Sequence, residues 1–90
     1  MTWKEGFFRL AADREVTSEM FRVLFVILGS IEQGYSTSIS QAEIGDLVGM
    51  ATQNVNRAIN RLAKKGIISK RYEGGKLVGY RVNEFFDGVS

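Results

Sequence analysis

Two hydrophobic periods divide this chain. From Thr17 to Gly66 apolar side chains recur every three or four positions, and after Gly66 the spacing becomes that of strands. In the first part the clearest unit is Thr52 to Lys65. Taking about 100° per residue, Val55, Ala58, Ile59 and Leu62 fall in a stripe roughly 100° wide, the usual core-facing face of a helix. Gln53, Arg57, Asn60 and Lys64 occupy the opposite side, with Asn56 and Arg61 beside them. That face holds amides and cations, with no carboxylate and no large apolar residue.

The preceding elements lead up to this helix. Residues 1–15 carry Trp3, Phe7, Phe8 and Leu10, which are expected to dock on the core, but their spacing assigns no element. Thr17 predicts the N-cap of a helix over Ser18 to Gln33, with Glu19 in the first turn, Val16 and Phe21 as a hydrophobic staple, and Gly34 as the stop. Its middle, FRVLFVIL, is apolar almost all round, so it reads either as a central core helix or as a seam between two copies. Gly34 to Ser38 is a loop, and Thr37 to Ile39 suits a short strand. Ser40 and Glu43 form a capping-box pair that opens a short helix with Ile44, Leu47 and Val48 at helical spacing. Gly45 weakens that helix by about 1 kcal/mol and permits close packing. Gly49 ends it.

The long helix begins at Ala51 or Thr52. Alanine is a poor cap, so Thr52 is the alternative cap, and Gly66 closes the far end behind Lys64 and Lys65. Ile67 to Tyr72 and Leu77 to Val82 then read as strands joined by a turn at Glu73-Gly74-Gly75-Lys76. Phe85 and Phe86 in the tail are expected to cover the core. The expected fold class is α+β, mainly α: a winged helix-turn-helix of three helices and a C-terminal β-hairpin wing, forming one domain over residues 1–90.

Composition narrows the chemistry. Hydrophobic residues at 44% and charged residues at 24% are ordinary for a globular chain. With no cysteine and no histidine, disulfides, thiol nucleophiles and the commonest metal ligand and general base are excluded. Glu73 to Lys76 lacks the spacing of a nucleotide cradle, no calcium-loop spacing occurs, and Glu43 with Asp46 reads as a surface pair. No enzyme activity, cofactor or metal is expected. The longest apolar run, Val23 to Leu28, is far too short to span a bilayer, and MTWKEGFF lacks the features of a secretory signal. The expected location is cytoplasmic, with no membrane partner.

The net charge of +2 conceals an asymmetry. Between Thr52 and Arg81 eight cations face the single carboxylate of Glu73, whereas residues 1–51 hold four cations and seven carboxylates. A basic segment in a near-neutral chain is the footprint of a nucleic-acid binder. The candidate DNA-contacting residues are Gln41, Thr52, Gln53, Asn54, Asn56, Arg57, Asn60, Arg61, Lys64, Lys65, Lys70, Arg71 and Lys76. Gln53 and Asn60 match adenine bidentately, and Arg57 or Arg61 matches guanine. Gln53, Asn56 and Arg57 rank first, because the N-terminal half of a recognition helix enters the major groove most deeply. Lys64, Lys65 and Lys70 suit phosphates; Gln41 and Thr52 suit backbone positioning; Arg71 and Lys76 suit an adjacent groove. About six neutralised phosphates imply a log–log salt slope near −5. Tyr72 and Tyr80 are expected at buried strand positions rather than on stacked RNA bases.

The run from Glu43 to Phe86 resembles winged-helix replication proteins of bacterial plasmids of the RepL type. The resemblance rests on Gly6-Phe7-Phe8, the apolar helix Met20 to Ile31, Glu43 to Ile68, and Tyr80-Arg81-Val82-Asn83. Transcriptional regulators of the MarR and Crp types share the helix-turn-helix and wing. Two positions depart from the RepL-type pattern: Ala51 stands for serine and Glu84 for proline. The resemblance implies a protein that binds duplex DNA at a plasmid origin or centromere. The expected state is a homodimer, since dimers read two half-sites about one helical turn apart. The alternatives are a small transcriptional regulator at an operator and a protein-interaction module with a basic face.

Overall fold

A computed structural model describes residues 3–83 of the chain. The expectations for Glu84, Phe85 and Phe86 lie outside the described residues. The element order is α1 (Trp3–Ala12), α2 (Ser18–Gly29), β1 (Ser36–Thr37), α3 (Gln41–Val48), α4 (Thr52–Lys64), β2 (Ile68–Glu73) and β3 (Lys76–Val82). The fold is α+β and mainly helical, with four helices against a three-stranded antiparallel sheet ordered β1-β3-β2. This is a winged helix-turn-helix with one helix more than the hydrophobic pattern predicts, and the short strand expected at Thr37 to Ile39 lies at Ser36–Thr37.

The extra helix is α1, in the segment whose spacing assigns no element. It docks chiefly through Leu10, which is buried, while Phe8 remains 64% exposed. Its end is fixed by the loop that follows. Lys65 at the end of α4 donates to Asp13 at 2.9 Å and Glu15 at 2.7 Å.

Helix α2 is the centre of the core. Thr17 caps it by accepting from the Met20 amide at 3.2 Å, and Met20, Val23, Leu24 and Ile27 form its buried stripe. The apolar run is therefore not buried all round: Phe25 projects outward, 58% exposed. Helix α2 also stops four residues before the predicted end. Gly29 has low helical propensity, and the Ser30 hydroxyl turns back to donate to the Val26 carbonyl at 2.6 Å. Gly34 does take the left-handed conformation, with φ of 55°, but in a tight turn with Tyr35, φ 63°. That turn is closed by the Ser36 amide donating to Gln33 at 2.8 Å and leads directly into β1.

Helix α3 is capped as expected. Ser40 accepts from the Glu43 amide at 3.1 Å, the Glu43 carboxylate accepts from the Ser40 amide at 3.0 Å, and Gly49 is left-handed at the far end. A Cβ on Gly45 would lie 2.7 Å from the Met50 carbonyl oxygen. The absent side chain thus sets how closely the turn folds back between α3 and α4.

Helix α4 buries Val55, Ala58, Ile59 and Leu62. Ala51, not Thr52, is its N-cap, and no side chain caps it. Its C-terminus is a Schellman closure: Gly66 donates to Ala63 at 3.0 Å and Ile67 to Leu62 at 3.0 Å. Asn83 then ties the start of β2 to the end of β3. Its amide Nδ2 donates to Gly66 at 2.6 Å, and its Oδ1 accepts from Ser69 at 2.8 Å.

Strand β3 runs between β1 and β2 and carries the register. Thr37 pairs with Tyr80, and Lys70 pairs with Tyr80 from the other side. A bulge follows: Arg71 pairs with Gly79 but Tyr72 with Leu77, so Val78 is the extra residue. The wing turns at Gly74 and Gly75, both at positive φ, as the paired glycines require.

Candidate nucleic-acid interface

The face of α4 opposite its buried stripe presents Gln53, Asn56, Arg57, Asn60, Arg61 and Lys64, all exposed. Thr52 is exposed at its first position, and Asn54 is half-buried on the flank. Ala51 supplies no side-chain acceptor for the first-turn amides. Such a helix N-terminus, followed by amides and cations, suits an anionic partner.

Neighbouring elements hold two of the amides. Gln41 at the start of α3 donates to Asn56 Oδ1 at 3.1 Å, and Lys70 on β2 donates to Asn60 Oδ1. These links tie α3 and the wing to successive turns of α4. They also occupy one lone pair of each amide oxygen. Gln53 and Arg57 have no hydrogen-bond partner among the described residues, so their full edges are available. Bidentate readout needs such edges, so the geometry puts Gln53 and Arg57 ahead of Asn56.

Three of the candidate cations are placed differently from the sequence expectation. Lys65 is engaged between Asp13 and Glu15, with its side chain only 24% exposed. The two acids, through these hydrogen bonds, hold its ammonium above the ordinary lysine range. Asp13 is correspondingly held below the ordinary carboxylate range, first by the Lys65 hydrogen bond and then by the Glu15 amide. A depressed carboxylate stabilises the fold above its unfolded pKa, and that contribution is lost as pH falls through the folded value. A raised lysine does so below its unfolded pKa, and its contribution is lost only as pH rises through the folded value. The clamp is therefore intact at neutral pH, and Lys65 is a structural cation tying α1 and α2 to α4.

Arg71 and Lys76 are separated from Lys70 by strand alternation. Residues one apart on a strand point to opposite faces, so Ile68, Lys70 and Tyr72 share the face turned to α4. Arg71 lies on the other face, lining a hollow with Glu32, Gln33 and Ser36. The bulge decides Lys76. It pairs with Glu73 on that outer face, while Leu77 pairs with Tyr72 on the inner one. Of the two wing tyrosines, Tyr80 is buried as expected, but Tyr72 is 59% exposed. Tyr72 and Leu77 are thus surface residues that the sequence pattern missed. The paired glycines locate the turn, but no residue in the sequence marks Val78 as the bulge.

Between the wing and α3 lies a cleft of about 290 Å³, lined by Ser38, Ser40, Gln41, Leu77 and Tyr80. The Tyr80 hydroxyl is buried there with no hydrogen-bond partner among the described residues. Burial pushes its pKa up, and Gln41 is near enough to offset part of that shift without forming a hydrogen bond of good geometry. Among the described residues no group of acidic side chains is arranged to hold a metal ion. No described helix is long and apolar enough to cross a membrane.

A two-helix turn unit, an amide-and-cation recognition face and an adjoining hairpin define a winged helix-turn-helix domain of the DNA-binding class. The sequence matches the Crp-like helix-turn-helix domain over residues 20–78, more than half of the chain, and the protein belongs to that family. The match runs from α2 into β3 and leaves α1 outside it. No curated protein and no solved structure matches the chain.

Proposed function

We propose that this protein reads duplex DNA sequence through α4 in the major groove and acts in plasmid replication or maintenance, at an origin or centromere. The observation that carries the DNA reading is the α4 face itself: Gln53 and Arg57 exposed and unpartnered beside Arg61 and Lys64, above a fully buried stripe. The plasmid role is supported by the resemblance of Gly6-Phe7-Phe8 and Glu43 to Asn83 to RepL-type proteins. The family match supports a second reading, a transcriptional regulator at an operator. DNA fragments recovered with the protein from its source separate the two: repeated sites at an origin favour maintenance, and a site overlapping a promoter favours regulation.

In this reading the protein is a non-enzymatic, cytoplasmic domain. Gln53 and Arg57 contact base edges, while Arg61, Lys64 and Lys70 meet phosphates. Arg57→Ala is expected to cost about 1–3 kcal/mol on a specific site and to relax base preference at one position. Binding assays on a selected site and on random duplex check this. An Arg57→Ala variant that binds both as the parent does would remove Arg57 from the readout.

The protein acts as a homodimer in this reading, since two copies read half-sites about one helical turn apart. Val23, Leu24 and Ile27 are consumed by the protein's own core, so the seam moves to the exposed rings of Phe8 and Phe25. Light-scattering mass, alone and on DNA, tests this. Phe8→Ser with Phe25→Ser is expected to give a monomer where the parent is a dimer, and a parent that is monomeric in both conditions excludes the seam.

A further inference from the structure

The face of the sheet turned to α4 does not end where the core ends. It continues past Ile68 and Lys70 as Tyr72, and across the strands from Tyr80 to Leu77. Tyr72 and Leu77 are a cross-strand pair, 59% and 38% exposed. Their position is made by the bulge. Without the bulge, regular pairing would set Val78 opposite Tyr72 and Leu77 opposite Glu73 on the outer face. The bulge instead brings Leu77 beside Tyr72, where Leu77 joins Gln41 and Tyr80 along the cleft next to α3.

An exposed apolar pair in a hairpin wing has three possible occupants: the protein's own core, another protein or the nucleic acid. The core ends at Tyr80 and Ile68, both fully buried. The surroundings decide between the other two. Lys70 lies one step along the same strand face and is linked to Asn60 on α4, and Gln41 is linked to Asn56. The pair is therefore continuous with the amide-and-cation surface, and a polyanion held on α4 runs next to it.

Groove dimensions fix how the contact is made. A two-stranded ribbon fits the major groove, which is about 12 Å wide, but not the minor groove at about 6 Å. With α4 in the major groove, the body of the wing stays outside the adjacent minor groove and only projecting side chains enter. A branched apolar side chain that enters there acts by partly unstacking a base step, which is easiest at TA and CA/TG steps. We infer that Leu77, flanked by Tyr72, is an apolar minor-groove wedge that unstacks a flexible base step beside the α4 site and bends the duplex. This rests on the duplex-DNA reading of α4. It assigns a contact and a source of sequence preference to wing residues that carry no charge.

The test uses the full chain and a duplex selected by the parent from random sequence, with a TA step moved through successive flanking positions. Permanganate reactivity reports unstacked thymines, and energy transfer between end dyes reports bending. The parent is expected to make one flanking thymine reactive, to bend the duplex, and to bind about tenfold more tightly when the TA step is in register. Tyr72→Ser with Leu77→Ser is expected to lose all three effects while still binding through α4. Tyr72→Phe is expected to keep them. Thermal melting of each variant confirms folding, and Leu77→Gln alone serves if the double variant melts early. A parent that binds with no thymine reactivity and no step preference overturns the wedge and leaves the α4 reading standing, as do effects that survive both the double variant and Leu77→Gln. A parent that binds no duplex at all overturns the α4 reading, and the wedge with it.

Discussion

Raising the salt from 50 to 200 mM is expected to weaken DNA binding by about 40-fold per bound copy, a log–log slope near −2.7. The figure follows from the three cations assigned to phosphates on the α4 side: Arg61, Lys64 and Lys70. Eight cations between Thr52 and Arg81 suggest a steeper dependence, near −5 for about six phosphates. Of the seven that are candidate contacts, Arg57 is assigned to a base edge and the fold removes three more from that surface. Lys65 is clamped by Asp13 and Glu15, and Arg71 and Lys76 lie on the outer face of the wing. A matched pair of variants isolates the point. Lys64→Met is expected to flatten the slope by about 0.9, and Lys65→Met to leave it unchanged. Salt titrations by fluorescence anisotropy measure both. A parent slope near zero would sink the electrostatic account, and equal flattening by the two variants would sink the distinction between them.

Gly79→Ala is expected to lower the thermal midpoint by about 4–24 °C. A Cβ at this position would lie 2.1 Å from the Thr37 carbonyl oxygen and 3.0 Å from the Ser38 Cα. Both atoms are backbone, so no side-chain rotation relieves the overlap. The β1 pairing must shift away from β3, and overpacking of this kind costs about 1–3 kcal/mol. In a domain of this size each kcal/mol moves the midpoint by about 4–8 °C. Circular dichroism melting reads the effect, and a midpoint within about 2 °C of the parent would show that the Thr37–Ser38 backbone is free to move away from β3.

Most of the helix-turn-helix is legible in local sequence. Ser40 with Glu43 predicts the start of α3, Gly49 its end, and Gly74-Gly75 the wing turn, because each depends on chemistry within four residues. Differences arise where distant segments meet. Helix α2 does not reach the predicted Gln33, and Gly34 instead serves a turn that only the pairing of β1 with β3 makes useful. Helix α1 carries no clear periodic stripe: Leu10 is buried, whereas Phe7 and Phe8 are exposed.

The α4 face shows the division most directly. The sequence by itself determined which residues it carries: a 3.6-residue period with Val55, Ala58, Ile59 and Leu62 inward leaves Gln53, Arg57, Asn60 and Lys64 outward. It also determined that the segment from Thr52 to Arg81 is cationic. Tertiary structure alone decided how those charges are distributed. Strand alternation and one bulge put Lys70, Tyr72 and Leu77 on the inner face and Arg71 and Lys76 on the outer one, and two carboxylates about fifty residues upstream of Lys65 withdrew it from solvent. Charge sign is a property of each residue and survives in the sequence. Which face a charge reaches depends on pairing register and on contacts between segments far apart in the chain, and those form only when the chain is folded.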